Sequence, residues 1–148
     1  MLVFGIDPGY AIVGWGIVDI TAGRLTPVAY GAVTTEAGEE FPKRLLKIQE
    51  KISYLLSKYK PQAVSIEKLY FNTNTTTAID VAQARGVIVC EAARQKIDVF
   101  EYTPIQVKAA VVGYGQAEKK QVMEMTRQLL RLSEMPKPDD TADALAIA

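Results

Sequence analysis

The first third of the chain alternates short apolar runs with tight polar breaks. Leu2–Ile6 is apolar throughout, Ile12–Val18 is rich in Ile, Val and Trp despite Gly14 and Gly16, and Leu25–Thr34 follows the turn-like Thr21-Ala22-Gly23. Short β-rich runs with such brief connections predict an antiparallel meander of three strands. The period then changes. Leu45, Ile48, Ile52, Leu55 and Tyr59 recur at helical spacing, with Lys43, Lys47, Glu50 and Lys51 largely on the other face. Pro42 suits a first helical turn, and Lys60-Pro61 stops the helix. Gln62–Ile66 is again a short run of the buried-strand type.

After a polar loop beginning at Lys68, a helix is predicted from about Thr77 to Gln95. It holds Gly86 and the run Val87-Ile88-Val89-Cys90, apolar around more than one face, so it is expected to be deeply buried or shared with a partner. Ile97–Tyr102 reads as a strand, and Thr103-Pro104-Ile105-Gln106 as a capping box with proline at the first helical position. Gly113-Tyr114-Gly115 breaks that helix, Glu118–Leu132 forms the next, and a last one starts at Asp139 or Asp140. The order is β-β-β-α-β-α-β-α-α-α. A strand–helix–strand crossover is right-handed and parallel, so Leu2–Ile6 and Gln62–Ile66 are expected to lie side by side, running the same way. The expectation is one α/β domain over residues 1–148. Its mixed five-stranded sheet has three antiparallel strands and then parallel ones, flanked by helices.

Composition narrows the chemistry. With 148 residues and a hydrophobic fraction of 49%, the chain can bury a core without disulfides, and the single Cys90 fits a reducing, cytoplasmic setting. No run approaches the ~18 apolar residues of a membrane span, and no basic leader precedes the first apolar run, so neither membrane nor export is expected. There is no histidine, which removes Ser-His and Cys-His nucleophile systems and imidazole-bound zinc. The 17 basic and 17 acidic residues balance. Most nucleic-acid-binding domains are basic, but four acids committed to cations would leave 13 against 17, a surface of +4.

Four acids flank apolar runs, where an unpaired carboxylate is costly: Asp7, Glu67, Asp140 and Asp143. Each has a plain account by itself. Asp7-Pro8-Gly9 makes a good turn, Glu67 suits a solvated strand end, and Asp139, Asp140 and Asp143 suit a helix N-terminus. Spacing alone leaves Asp139 and Asp140 as alternatives. Taken together, the acids fit an all-oxygen site for Mg²⁺, with Mn²⁺ able to substitute. Two ions per site would serve in-line attack on a phosphodiester. Asp7 and Glu67 fall at carboxyl ends of neighbouring parallel strands, the usual ligand edge of such sheets. Lys108, Lys119 and Lys120 are phosphate-contact candidates that equally suit solvated helix faces. Tyr70 and Phe71 could stack on bases or wedge into a step, with one of the two expected to pack inward. Arg85 and Lys68 are further backbone-contact candidates. Trp15, Met123 and Cys90 read as core or interface.

Gly5-Ile-Asp-Pro-Gly9, Ser65-Ile-Glu67, Gln83-Ala-Arg-Gly86, Val111-Val-Gly113, Ala117-Glu-Lys119 and Asp140-Thr-Ala-Asp-Ala-Leu-Ala-Ile-Ala148 together resemble the bacterial RuvC family of Holliday junction resolvases. The resemblance spans essentially the whole chain in order. It implies an RNase H-like fold and a Mg²⁺-dependent endonuclease that cuts four-way junction DNA by symmetric paired nicks in recombination and repair. It implies catalysis by Asp7, Glu67, Asp140 and Asp143, choosing Asp140 over Asp139. It places junction contacts at Lys108 and Lys119, and the stacking aromatic at Tyr70, where the family often has Phe. It further implies a homodimer, with the Ala78–Cys90 helix at its surface, and cooperation with the RuvA–RuvB branch-migration machinery. Three rivals stand beside it. One is another RNase H-like nuclease acting on RNA or a replication intermediate. A second is an actin-like or sugar-kinase ATPase, suggested by Asp7-x-Gly9 and Gly14 but lacking a second domain. The third is a non-catalytic junction-binding protein.

Overall fold

Strands and helices follow in the predicted order. In the computed structural model, which describes residues 1–70 and 75–148, they are β1 (Leu2–Asp7), β2 (Ile12–Thr21), β3 (Arg24–Thr34), α1 (Phe41–Tyr59), β4 (Ala63–Glu67), α2 (Thr75–Arg94), β5 (Asp98–Tyr102), α3 (Pro104–Val112), α4 (Lys119–Leu129) and α5 (Asp139–Ile147). The sheet order is β3-β2-β1-β4-β5. β1, β2 and β3 pair antiparallel, whereas β1–β4 and β4–β5 are parallel. The crossover through α1 therefore sets β1 and β4 side by side, as their short apolar runs predict.

Alternation along the strands divides the sheet into two unlike faces. Phe4, Ile6, Val13, Ile17, Val64 and Ile66 are fully buried against α1 and α2, which contribute Ile48, Ile52, Leu56 and Ile88. Burying each such side chain stabilises the fold by roughly 1.5–3 kcal/mol. On the opposite face the same strands carry Gly5, Gly14, Gly16 and Ser65, and there α5 lies across β1 and β2. A smaller cluster of Val18, Leu130, Leu132 and Leu145 closes that side.

Several bounds differ from the predicted ones. β2 runs past Val18 to Thr21 because Ala22 and Gly23 both take positive φ (51° and 76°), which keeps pairing intact up to Thr21↔Arg24. α4 stops at Leu129 rather than Leu132. Arg131 turns left-handed (φ 54°), and Leu130 and Leu132 leave the helix to enter the smaller cluster. α2 is not apolar all round within one chain. Ala84, Ile88 and Ala92 are buried, while Ile79, Gly86 and Cys90 are exposed, so Cys90 is outside the core. Trp15 packs partly buried on the main cluster, stacked on Phe4 at 6.0 Å, and Met123 is half-buried.

A buried carboxylate was not foreseen. Glu91 of α2 is 3% exposed and accepts from Gln49 of α1 (2.7 Å), Arg94 (2.7 and 2.9 Å) and Gln95 (2.7 Å). The Arg94 bond chiefly, with the two amides, holds its carboxyl down at about 2. This knot joins α1 to α2. No helix among the described residues is long and apolar enough to cross a membrane.

Candidate active site

Asp7 and Glu67 are the last residues of β1 and β4, on the same face as Gly5 and Ser65. Their neighbours explain how the other two acids reach them. A Cβ on Gly14 would overlap the Asp140 carbonyl, one on Gly5 the Ala144 carbonyl, and one on Gly16 the Leu145 side chain. The missing side chains form a trough into which α5 settles, and Ser65 Oγ donates to the Ile147 carbonyl at its far end. Asp140 and Asp143, three apart on α5, are thereby set beside the strand ends. The turn after Asp7 is fixed as well: Arg44 donates to Thr35 Oγ1 (2.8 Å) and lies 4.7 Å over the Tyr10 ring.

The four acids act on one another. Burial, then the charges of Asp143, Glu67 and Asp140, push the Asp7 carboxyl up to about 7, with Lys119 pulling the other way. Glu67 is also raised, first by burial and then by Asp143, while Lys119 and Lys108 oppose the shift. Asp139 is absent from the charges acting on Asp7. Its side chain is 67% exposed and comes only to 3.8 Å from Lys119. Lys119 sits closer to Asp143, at 2.8 Å, and that bond raises its own pKa. Among the described residues no three acids close around one point in ligand geometry.

Two grooves meet at Glu67 and Pro104. One, of about 250 Å³, is lined by Asp7, Glu67, Lys68 and Tyr70. The other, of about 240 Å³, is lined by Glu67, Lys108, Lys119 and Asp143. Tyr70 is 59% exposed at the rim. Lys108 and Lys119 thus stand with the acids, and Lys68 joins them. Lys120 is exposed and lines neither groove, and Arg85 lines neither groove but donates to the Glu67 carbonyl and to Glu101. Phe71 lies outside the described residues.

Carboxylates at adjacent strand ends, a carboxylate helix laid across glycines and lysines on the flanking helices can be compared with known proteins. A model of crossover junction endodeoxyribonuclease RuvC matches residues 3–148. The chain belongs to the RuvC family. A RuvC of Brevibacillus brevis is 58% identical over 148 residues, covering 100% of this chain and 89% of that one. One of Alkaliphilus metalliredigens is 53% identical, covering 100% and 90%. Among solved structures, Thermus thermophilus RuvC superposes with a TM-score of 0.92 at 35% identity, covering 100% of this chain and 91% of that one. The same organism's RuvC in complex with Holliday junction substrate gives 0.95 at 36%, covering 100% and 90%.

RuvC membership makes the chain an endodeoxyribonuclease of a metal-dependent family with an RNase H-like fold. It sets aside the ATPase and the non-catalytic binder. Three features of this RuvC site escaped the sequence reading. The glycine trough left a signal, since Gly5, Gly14 and Gly16 fall on one face once the strands are aligned. The Lys119–Asp143 pair and the engagement of Arg85 join residues remote in sequence, and no local pattern marks them.

Proposed function

We propose that the chain resolves four-way DNA junctions by hydrolysing phosphodiesters at the site of Asp7, Glu67, Asp140 and Asp143. The observation that carries this is the convergence of four acids from β1, β4 and α5, with Asp7 buried beside the charges of Asp143, Glu67 and Asp140. A site of four acids so placed suits cations. Its donors are all oxygen: the chain has no histidine, and Cys90 is exposed on α2, away from both grooves. That chemistry suits Mg²⁺, with Mn²⁺ substituting, and two ions per site. When bound, the ions supply a water of lowered pKa and neutralise charge at the phosphate and its departing oxygen.

The chain's own residues do the rest. Asp7 and Glu67 at the strand ends, with Asp140 and Asp143 on α5, would hold the ions. Lys119 is the internal counter-ion of Asp143 and lines the groove where a phosphate would lie. Lys108 faces the same groove, Lys120 extends the basic surface, and Tyr70 offers a ring at the rim for an unstacked base, with Phe71 beside it in sequence. The exposed stripe of α2 is assigned to a homodimer that presents two sites for symmetric paired nicks. RuvA–RuvB are the partners and the cytoplasm the location.

The test compares a synthetic four-way DNA junction with linear duplex and RNA–DNA hybrid. Paired nicks are expected in the junction alone, with Mg²⁺ and not with EDTA. Equal cutting of hybrid would assign the site to a different RNase H-like activity. Asp7→Asn should lose cleavage by at least about 10³-fold, the scale of a lost catalytic electrostatic group, while a gel-shift assay still shows junction binding. Loss of binding by a folded variant contradicts the role given to Asp7.

A further inference from the structure

Glu67 faces Tyr102 at the last register position of β4 and β5. The ladder there closes on the Lys68 N–H, which donates to the Tyr102 carbonyl (2.8 Å), so the Glu67 carbonyl points away from β5. Arg85, reaching over from α2, donates to it: its Nε lies 3.2 Å from the Glu67 carbonyl oxygen. Its Nη2 donates to Glu101 Oε1 of β5 at 2.6 Å. The Arg85 side chain is 16% exposed, and the pairing lowers the pKa of Glu101.

We propose that Arg85 is a positioning residue for Glu67 and not a phosphate contact. The planar guanidinium spans a carbonyl and a carboxylate at once, which a lysine ammonium on its flexible stem does not reproduce. It thereby fixes the tip of β4, whose final side chain is the Glu67 carboxylate, and couples that tip to α2. A freed tip lets the carboxylate swing away from Asp7 and Asp143 under their repulsion. The residue expected to touch DNA is therefore committed within the chain, lining neither groove of the site. This inference rests on the reading of Glu67 as an ion ligand.

Three measurements on the full chain decide it: Mn²⁺ binding by electron paramagnetic resonance, the salt dependence of junction affinity in EDTA, and single-turnover junction cleavage. Arg85→Ala is expected to weaken Mn²⁺ binding roughly tenfold and slow cleavage by a similar factor or more, the usual scale for losing a ligand's support. Excess Mn²⁺ should recover part of the rate. Junction affinity and its salt slope should stay as in the wild type, and Glu101→Gln, which keeps an acceptor, should stay close to it throughout. A slope reduced by about one phosphate's worth in Arg85→Ala would overturn the proposal by making Arg85 a DNA contact. Unchanged Mn²⁺ binding in Arg85→Ala, alongside weakened binding in Glu67→Gln, would overturn it too. If Glu67→Gln itself binds Mn²⁺ normally, the ligand reading beneath the inference is what fails. Should Arg85→Ala not fold, Arg85→Lys decides by the same Mn²⁺ measurement: weakened binding supports the proposal and unchanged binding overturns it.

Discussion

Asp7 bears the electrostatic strain of the site, and the strain has a sign that can be measured. Its folded pKa of about 7 lies above the ordinary aspartate value of 3.8. The folded protein therefore holds a proton that the unfolded chain has released, and stability present below about pH 4 is lost as pH rises through about 7. Each tenfold change in proton affinity corresponds to about 1.4 kcal/mol. In the absence of divalent ions, Asp7→Asn should then be more stable than wild type at pH 8, by roughly 2–4 kcal/mol. The gap should close below pH 4. Urea denaturation across that range checks it, and equal stability at pH 8 would show that neither burial nor the neighbouring acids penalise the Asp7 charge. At this scale much of the site was legible, because a carboxylate closing an apolar run is conspicuous wherever the fold puts it. Glu91 was not: its carboxylate is just as buried, but its neutralising donors come from Gln49, Arg94 and Gln95, and the one that crosses between helices cannot be found by local pattern.

Elements explain why the acids meet. The antiparallel meander was readable from run length and spacing, and the β1–β4 neighbourhood follows from the handed crossover. The seat of α5 was not readable, because glycine in a strand looks like weak β-propensity until the facing element is known. The end of α4 was misjudged for a related reason. Leu130 and Leu132 continue an apolar pattern, yet they serve a second cluster after the turn at Arg131. The trough makes its own prediction. Gly14→Ala forces a methyl into the Asp140 carbonyl, backbone that cannot move without carrying the acid with it. A loss of about 1–3 kcal/mol is expected, the range for overpacking. Junction cleavage should also fall by more than the folded fraction does, when assayed where both proteins remain folded. Gly38→Ala, with nothing near its added methyl, should lie within about 0.5 kcal/mol of wild type and cut normally. Full-rate cleavage by Gly14→Ala would mean that the placement of α5 does not set the site.

The whole molecule raises a question that one chain does not answer: why α2 keeps a glycine. Gly86 lies inside the helix, exposed, at ordinary φ, and a Cβ there meets nothing within 4 Å among the described residues. Glycine in a helix costs about 1 kcal/mol relative to alanine. Ile79 (61% exposed), Gly86 and Cys90 are seven and four residues apart, so they share one outward stripe. In the proposed homodimer, close approach of a second α2 across a two-fold axis would account for both the small residue and the exposed apolar ones. Arg85, next in sequence, ties the same helix to Glu67, so the stripe and the site share one element. Gly86→Arg separates fold from assembly. Gly86 is exposed with space around an added Cβ, and arginine favours helix, so the variant should unfold no more easily than wild type. The proposed dimer should dissociate at least about tenfold more readily in the variant by analytical ultracentrifugation, the effect of losing about 1.4 kcal/mol of association. On a supercoiled plasmid extruding a cruciform, paired nicks give linear product and single nicks give open circles. Weakened pairing should therefore shift product from linear to open circle at low protein concentration, with dilution deepening the shift. An unchanged dimer in Gly86→Arg would remove α2 from the interface and leave its glycine without a reason in the assembly.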